Sequence, residues 1–178
     1  MPHHYRNILT PLDGSQLSEA ALPHAFSLAA LAGAQLTLLV AVDSEHVIEP
    51  SGHEASVMEE ALDAWLPTAQ SAAYRERNTI FVDEQWEAAR LDAHRYLKSV
   101  CGRFGGGAEA RLAVELGSPA ETILAYAHTH PVDLIVMSTH GRTGLRRMVY
   151  GSVADEILRS SRVPVLLVRA AGGSEPSS

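Results

Sequence analysis

The stretch Asn7-Ile8-Leu9-Thr10-Pro11-Leu12-Asp13-Gly14-Ser15 decides the fold, because an uncharged, largely apolar run ends directly in a polar turn. A short apolar run is typical of a strand that is buried on both faces of a sheet. The Asp-Gly-Ser turn can begin a helix, which we expect over residues 17–32 and ended by Gly33. A strand, a tight turn and a helix form the first half of a β-α-β unit.

Four further runs of the same kind follow along the chain, and helical patterns separate most of them. Alternating strands and helices indicate an α/β protein with a parallel sheet that is covered on both faces. We therefore predict a single-domain, Rossmann-like, doubly wound sheet of five parallel strands. The predicted strands cover residues 7–12, 36–42, 111–116, 133–137 and 163–168.

Two later helices begin at recognisable signals. Ser118 is the expected N-cap of the first, and Pro119 is its expected first residue. The second should cover residues 152–161, with Ser152 as its N-cap and Asp155 as the partner in a capping box.

The middle of the chain, residues 43–107, is longer than one crossover connection needs. Its charged and amphipathic composition predicts two helices, over residues 54–75 and 83–104, with Pro67 kinking or splitting the first. Residues 79–82, Thr-Ile-Phe-Val, are either a short strand or an apolar plug beneath a loop. The connection either shields the sheet or forms a lid or a dimer contact, and both interpretations stay open.

The composition limits the classes of partner. A formal net charge of -7 disfavours nucleic acids and anionic membranes, because both attract clustered positive charge. No apolar stretch approaches the ~20 residues of a membrane span, and the N-terminus lacks the apolar core of a signal peptide, so we expect a cytoplasmic protein.

Cys101 is the only cysteine, which excludes an intramolecular disulfide and favours an inert thiol on a helix. The small, polar residues 171–178 predict a disordered tail behind one domain over residues 1–170.

In an open parallel sheet, ligands bind outside the carboxyl ends of the strands, at the point where the strand order reverses. The first loop suited to this place is Asp13-Gly14-Ser15, where a carboxylate beside a glycine turn can accept hydrogen bonds from a ribose hydroxyl. The same residues are also ordinary turn and helix-cap chemistry, and this alternative stays open.

The second loop begins with Ser138-Thr139-His140-Gly141 and ends with Gly151-Ser152 at the start of a helix. Glycines let backbone amides approach phosphate oxygens, and a helix N-terminus adds unsatisfied N–H groups and a partial positive charge. This loop therefore predicts a phosphate-binding site. Further donors in it are the hydroxyl of Thr143 and the guanidinium groups of Arg142, Arg146 and Arg147.

Other candidate sites are weaker. His128 and His130 are two positions apart, so a helix would place their side chains on different sides. No nearby residues complete a ligand set, and we therefore predict no metal site. His140 either orders the phosphate loop or acts as a general acid. The sequence has no nucleophile elbow, P-loop lysine or Gly-x-Gly-x-x-Gly turn, so we predict no catalytic residue.

These residues together resemble the universal stress protein family, over roughly residues 5–169 apart from the long middle segment. The ATP-binding members of that family carry a glycine, two residues, a second glycine, nine residues, and then glycine with Ser or Thr. Gly141 is similar to the second glycine, and Gly151-Ser152 follows after nine residues. Ser138 stands in place of the first glycine, so the resemblance implies an adenine nucleotide without selecting ATP over AMP.

The resemblance also implies an adenine nucleotide alpha hydrolase-like fold with strand order 3-2-1-4-5. It implies a homodimer through the strand of residues 163–168, which would pair antiparallel with its copy. The implied ligand is ATP or AMP, with Mg²⁺ as an optional companion of the phosphates. Asp13 would meet the ribose, Pro11 and Leu12 would border the base, and Ala41 would lie near the adenine. The implied nucleotide-binding residues are Pro11, Leu12, Asp13, Ala41, Met137, Ser138, His140, Gly141, Arg142, Gly151, Ser152 and Val153.

The function that the resemblance implies is that of a stress-response sensor or regulatory binding module. One alternative is a slow ATPase, in which a metal held by the phosphates lies near Asp13 and His140 assists a water molecule. Another is a nucleotide-independent stress protein that acts through its dimer surface.

Overall fold

The computed structural model describes residues 4–43, 68–105, 109–140 and 151–170. The sheet in this part of the chain has five strands, all paired in parallel, in the order β3-β2-β1-β4-β5. The α/β class, the doubly wound sheet and the strand order 3-2-1-4-5 are therefore confirmed. The strands are β1 Asn7–Leu12, β2 Gln35–Val42, β3 Ala110–Leu116, β4 Leu134–His140 and β5 Val165–Ala170. The helices are α1 Gln16–Glu19, α2 Leu22–Ala32, α3 Thr68–Phe104, α4 Pro119–Thr129 and α5 Ser152–Ser160.

The core lies in two layers, one on each face of the sheet, because successive side chains of a strand point to opposite faces. Ile8 of β1 packs in the layer beneath α2 and α3, which also contains Phe26 and Leu97. Leu9, the next residue of β1, packs in the layer beneath α4 and α5, together with Ile157. Both faces of β1 are thus buried, as its apolar sequence predicts.

β1 and β4 are joined at their amino ends and separate towards their carboxyl ends. The carboxylate of Asp133, just before β4, accepts hydrogen bonds from the N–H groups of Arg6 and Asn7, at 2.7 and 3.1 Å. The register of β1 with β4 covers Ile8 and Leu9 only, whereas its register with β2 runs the full length of β1. Pro11 has no N–H to donate to a ladder, which fits the end of the pairing before it. The separation leaves a cleft where the strand order reverses.

The prediction of one helix over residues 17–32 is wrong, because the structure has α1 and α2 with a break at Ala20 and Ala21. Pro23 lies in the first turn of α2. A proline is favourable there, but it cannot continue a helix from the preceding turn, since it lacks an N–H and its ring crowds the carbonyl four residues earlier. The end of α2 at Gly33 is as predicted, with a left-handed φ of 63°.

The prediction of two helices in the middle of the chain is also wrong for the described part. α3 is one continuous helix of 37 residues, and residues 79–82 lie inside it rather than forming a strand or a plug. β-branched and aromatic residues each cost a helix only a few tenths of a kcal/mol, roughly, so a short run of them does not end it. Pro67 and the predicted helix start at residue 54 lie outside the described residues, as does the predicted tail.

The helix starts differ from prediction in one place. Ser118 is the N-cap of α4 and Pro119 its first residue, as predicted, although no side-chain hydrogen bond completes the cap. In α5 the N-cap is Gly151, so that Ser152 is the first helical residue and the predicted capping box is wrong. A glycine N-cap has no side chain to accept from the first-turn N–H groups. The start of α5 therefore keeps its backbone donors.

Two glycines in different backbone conformations give opposite expectations for the same substitution. Gly117 has a φ of +135°, and an added Cβ would lie 2.9 Å from Oγ1 of Thr122. Gly117→Ala should lower the free energy of unfolding by about 1–3 kcal/mol, because the conformation is strained for any L side chain. Urea unfolding monitored by circular dichroism measures the change.

The matched control is Gly102→Ala in α3, where an added Cβ meets nothing within 4 Å. Alanine should raise the free energy of unfolding there by about 0.5–1 kcal/mol, since glycine weakens a helix interior. A loss of stability at residue 102, or none at residue 117, would contradict these backbone conformations.

Candidate functional site

A pocket of about 310 Å³ opens in the cleft between the carboxyl ends of β1 and β4. Its volume lies at the lower end of the range of small-molecule sites, about 300–1,000 Å³. The wall is formed by residues of three strands and by the first turns of α1, α4 and α5. The lining residues are Pro11, Leu12, Asp13, Leu17, Ser18, Ala41, Pro119, Ile123, Met137, Ser138, Thr139, Gly151, Ser152, Val153 and Ala154.

The wall on the side of β1 is a hydrogen-bonded turn. Gly14 has a φ of 83°, which lets the chain turn sharply after the buried end of β1. Oδ1 of Asp13 accepts from the N–H and the hydroxyl of Ser15, at 2.9 and 2.6 Å. The Ser15 oxygen in turn accepts from the N–H of Ser18, at 3.1 Å, and so caps α1. The turn chemistry expected of Asp-Gly-Ser is therefore present, and it fixes the carboxylate at the edge of the pocket.

The Asp13 carboxyl group is held in its charged form. Burial alone would raise the pKa of Asp13, but hydrogen bonds from the hydroxyl and amide of Ser15, and from Ser18, outweigh it and lower the pKa below its ordinary value. The side chain nevertheless remains exposed to solvent. At neutral pH Asp13 thus presents an anionic hydrogen-bond acceptor to anything that enters the pocket.

The wall on the side of β4 contains Met137, Ser138 and Thr139, of which Met137 and Thr139 are buried. Ser138 lies inside β4 and pairs with Val168 of β5. No described residue other than glycine has a positive φ, so serine occupies this position without backbone strain. The hydroxyl of Thr139 is buried and has no hydrogen-bond partner among the described residues, which is uncommon in proteins. This hydroxyl is therefore a buried polar group behind the surface of the pocket wall.

The third wall is the start of α5. Gly151 and Ser152 contribute N–H groups at the helix start, and no side chain in the described part of the protein caps them. Such groups, together with the helix dipole, favour an anion at this end of the pocket. Asp155 in the same turn forms an ion pair with Arg159, at 2.9 Å. The pocket therefore combines a charged carboxylate, an apolar middle and the N-terminal end of a helix.

The structure gathers most of the predicted nucleotide-binding residues around this pocket. His140 ends β4, but its side chain lies outside the described part, and so do Gly141 and Arg142. As contacts to a ligand, all of these residues remain predictions. The members of the predicted set that line the pocket are Pro11, Leu12, Asp13, Ala41, Met137, Ser138, Gly151, Ser152 and Val153.

Sequence reasoning missed two parts of the wall. Leu17 and Ser18 of α1 follow the Asp-Gly-Ser turn, so the turn itself was the available signal for them. Pro119 and Ile123 of α4 come from a helix far along the chain, and no local pattern indicates that they reach the pocket.

The other candidate residues have structural surroundings. His130 stacks on Tyr126, with ring centroids 3.9 Å apart and planes 9° from parallel. Cys101 packs partly buried against the core beneath α3. Within the described ranges no group of three or more His, Cys, Asp or Glu side chains is placed to hold a metal ion. None of the helices in these ranges is both long enough and apolar enough to span a membrane.

Comparison with known proteins connects the sequence and its fold to one family. Residues 4–169 match the sequence model of the universal stress protein family. The universal stress protein YxiE of Bacillus subtilis is 30% identical over 166 residues, which is 93% of this chain and 99% of that protein.

Solved structures show the same fold. The universal stress protein UspA from Lactobacillus plantarum is 26% identical with a TM-score of 0.56, and the match covers 94% of this chain and all of that one. A universal stress protein in complex with cAMP is 19% identical with a TM-score of 0.54, and the match covers 95% of this chain and all of that one.

The lowered pKa of Asp13 predicts how stability depends on pH. A carboxyl group whose pKa is lower in the folded state stabilises the protein above its unfolded pKa, about 3.9, and loses that contribution as the pH falls through the folded value. Asp13→Asn keeps an oxygen that can accept from Ser15 but does not titrate. The variant should be less stable than the wild type at pH 7, and the difference should shrink below about pH 4. Urea unfolding at both pH values measures this, and a difference that does not change with pH would contradict it.

Proposed function

The chain belongs to the universal stress protein family, and from this premise we propose that it is a cytoplasmic stress-response protein whose pocket binds ATP or AMP. We propose that it acts as a sensor or regulatory binding module, with its occupancy as the signal. Mg²⁺ would accompany a triphosphate. No residue is proposed as catalytic.

One observation carries the proposal: Asp13 and the uncapped start of α5 face one pocket, with apolar residues between them. An adenine nucleotide offers the matching groups, which are a flat apolar base, a ribose with hydroxyl donors, and an anionic phosphate. The ribose hydroxyls suit the charged Asp13 carboxylate, because hydrogen bonds to a charged acceptor are stronger than those between neutral groups. The phosphates suit the N–H groups of Gly151 and Ser152.

The apolar middle of the pocket suits the base. Pro11 and Met137 are buried at the ends of the two separating strands, and Ala41 contributes from β2. Small and flexible apolar side chains leave room for a planar ring and pack against both of its faces. Another universal stress protein of this fold holds cAMP, which is itself an adenine nucleotide. That protein supports the class of ligand rather than the particular nucleotide.

The phosphate loop adds the family spacing to this picture. Nine residues lie between Gly141 and Gly151, as in the ATP-binding members that the sequence resembles. Ser138 replaces the first glycine of that pattern, and it lies in β4 beside the pocket. We propose that the Cβ of Ser138 narrows the space for a polyphosphate. The affinity for ATP relative to AMP should therefore depend on the residue at this position.

We further propose a homodimer through β5, which is the edge strand of the described sheet next to β4. The side chain of Leu166 on this strand is 38% exposed. An antiparallel copy would pair with the open backbone groups of β5 and cover this apolar surface. The predicted strand, residues 163–168, overlaps β5 but begins two residues before it.

Nucleotide binding can be tested at the two glycines of the phosphate loop. Gly151→Val and Gly141→Val should each abolish binding of ATP and AMP, because a branched side chain blocks the approach of the backbone to phosphate. Gly151 has a φ of -54°, which valine can adopt, so the variant should remain folded. Isothermal titration calorimetry with ATP, AMP and GTP measures affinity and base preference, and assay of ADP in the same samples detects hydrolysis.

Gly102→Val is the matched control, since this glycine lies on the exposed side of α3 with open space around it. It should bind nucleotide as the wild type does. Failure of the wild-type protein to bind any adenine nucleotide would refute the proposed function. Unchanged affinity in both loop variants would refute the assignment of the loop.

The proposed dimer predicts the effect of a charge on β5. Leu166→Lys should shift the protein towards monomer, because a lysine on an edge strand opposes pairing with a second copy. Leu31→Lys is the control, since Leu31 is 86% exposed on α2 and far from β5 in the fold. Sedimentation equilibrium gives the masses, and a monomeric wild type or a dimeric Leu166→Lys variant would speak against the β5 interface.

A further inference from the structure

α1 forms part of the pocket wall but is a single turn of four residues, which is too short to be stable alone. Its Ser18 lines the pocket, and the Ser18 hydroxyl accepts from the N–H of Asp13, at 3.4 Å, and donates to the carbonyl of Ser15, at 2.9 Å. Residues 13–19 are therefore one hydrogen-bonded unit, which we call the Asp13 rim. The position of the Asp13 rim therefore depends on contacts between α1 and other parts of the fold.

An ion pair ties the Asp13 rim to α3. Oε1 of Glu19 lies 2.6 Å from Nη2 of Arg103, 84 positions further along the chain. The Glu19 side chain is 12% exposed, so its carboxylate is largely shielded from water. The guanidinium of Arg103 also lies 5.3 Å from the ring centre of Phe104, which restricts its orientation. This geometry differs from the other ion pairs of α3, whose partners are both well exposed.

Tyr96 brings a buried hydroxyl from α3 to the same rim. This hydroxyl is inaccessible to solvent and makes no hydrogen bond of normal geometry with a described residue. Burial first, and then the negative charge of Glu19, raise the pKa of Tyr96 to about 12. The neighbouring Ser18 hydroxyl lowers this pKa, and a contact with the Glu19 carboxylate raises it further. The phenol is thus a neutral hydrogen-bond donor that interacts electrostatically with both Ser18 and Glu19.

We propose that Glu19, Arg103 and Tyr96 are positioning residues through which α3 holds the Asp13 rim and through which nucleotide occupancy is transmitted to α3. This inference rests on the proposed function. A ribose bound by Asp13 fixes the rim, and the fixed rim brings the contact of the Tyr96 hydroxyl with Ser18 or Glu19 to normal hydrogen-bond geometry. By linkage, contacts that strengthen the hold of α3 on the rim also strengthen nucleotide binding, and the nucleotide strengthens those contacts in return.

Tyr96→Phe separates this role from a merely structural one. Without ligand, the variant should be as stable as the wild type or more stable, because it removes a buried polar group that has no partner. Its affinity for ATP should nevertheless fall several-fold, since the hydrogen bond gained on binding is lost. Urea unfolding without nucleotide and calorimetry with ATP and magnesium chloride give the two readouts. A tyrosine that only fills the core would keep its affinity for ATP on this substitution, because phenylalanine preserves the ring, and unchanged affinity would contradict the proposed role.

The ion pair is tested with Arg103→Met against Arg95→Met. Arg95 pairs with Asp92 on the same helix, and both side chains are well exposed, so its loss should leave ATP affinity unchanged. Arg103→Met should weaken ATP binding about fivefold or more, at the lower end of coupling between linked sites. In hydrogen exchange, ATP should slow exchange of the Asp13 rim and of residues 84–104 in the wild type. In Arg103→Met it should slow exchange of the rim alone.

The outcomes distinguish this inference from the function on which it rests. If the wild type binds ATP, and Tyr96→Phe and Arg103→Met bind it equally well, the coupling to α3 is refuted and the proposed function stands. If the wild type binds no adenine nucleotide, the proposed function fails and the coupling fails with it. Exchange of charges in a Glu19→Arg, Arg103→Glu double variant should recover part of the lost affinity, and a further loss there would also contradict the proposal.

Discussion

β1 and β4 are clamped together at their amino ends by Asp133, and they separate after Leu9 and Ile135. The pocket depends on this separation, because two parallel strands that stayed paired to their ends would leave no room between them. The helices follow from it as well. α2 packs on one face of the sheet and α5 on the other, and the first turns of α1 and α5 meet at the cleft. The reversal of strand order therefore positions the walls that come from β1, β4, α1 and α5.

The electrostatics of the pocket are local, and they differ from those of the whole chain. A net charge of -7 makes the protein as a whole unattractive to anions. The start of α5 offsets this over a short distance with oriented N–H groups, which act only within the first turn. Asp13 stands on a different wall, and its hydrogen bonds with Ser15 and Ser18 keep it charged with no cationic partner among the residues that the structure describes. One pocket can thus hold an acceptor for hydroxyl groups and a donor set for an anion.

The sequence was sufficient to predict the sheet, since strands buried on both faces stand out as short apolar runs. It was less informative at the ends of strands, because β4 continues through Ser138 and Thr139, polar residues that a hydrophobic pattern excludes. Pro23 indicates that α1 and α2 are separate helices, but the alanines around it favour a continuous helix and led to the wrong prediction. The walls from Pro119 and Ile123 could not be predicted, because they depend on which helix packs beside the cleft. The start of α5 was also mispredicted. The local sequence favours Ser152 as the N-cap, but in the structure Gly151 is the N-cap and Ser152 is the first helical residue.

The shortness of α1 has a consequence for the order in which the molecule assembles. One turn of helix does not survive without tertiary support, and its support from Arg103 comes from a residue 84 positions away. Such a distant contact can form only after β2 and α3 are in place, since closing a long loop costs entropy that local contacts do not recover. The Asp13 rim is therefore among the last parts of the protein to consolidate on folding. For the same reason it is among the first to open in the native ensemble, while the sheet beneath it stays intact.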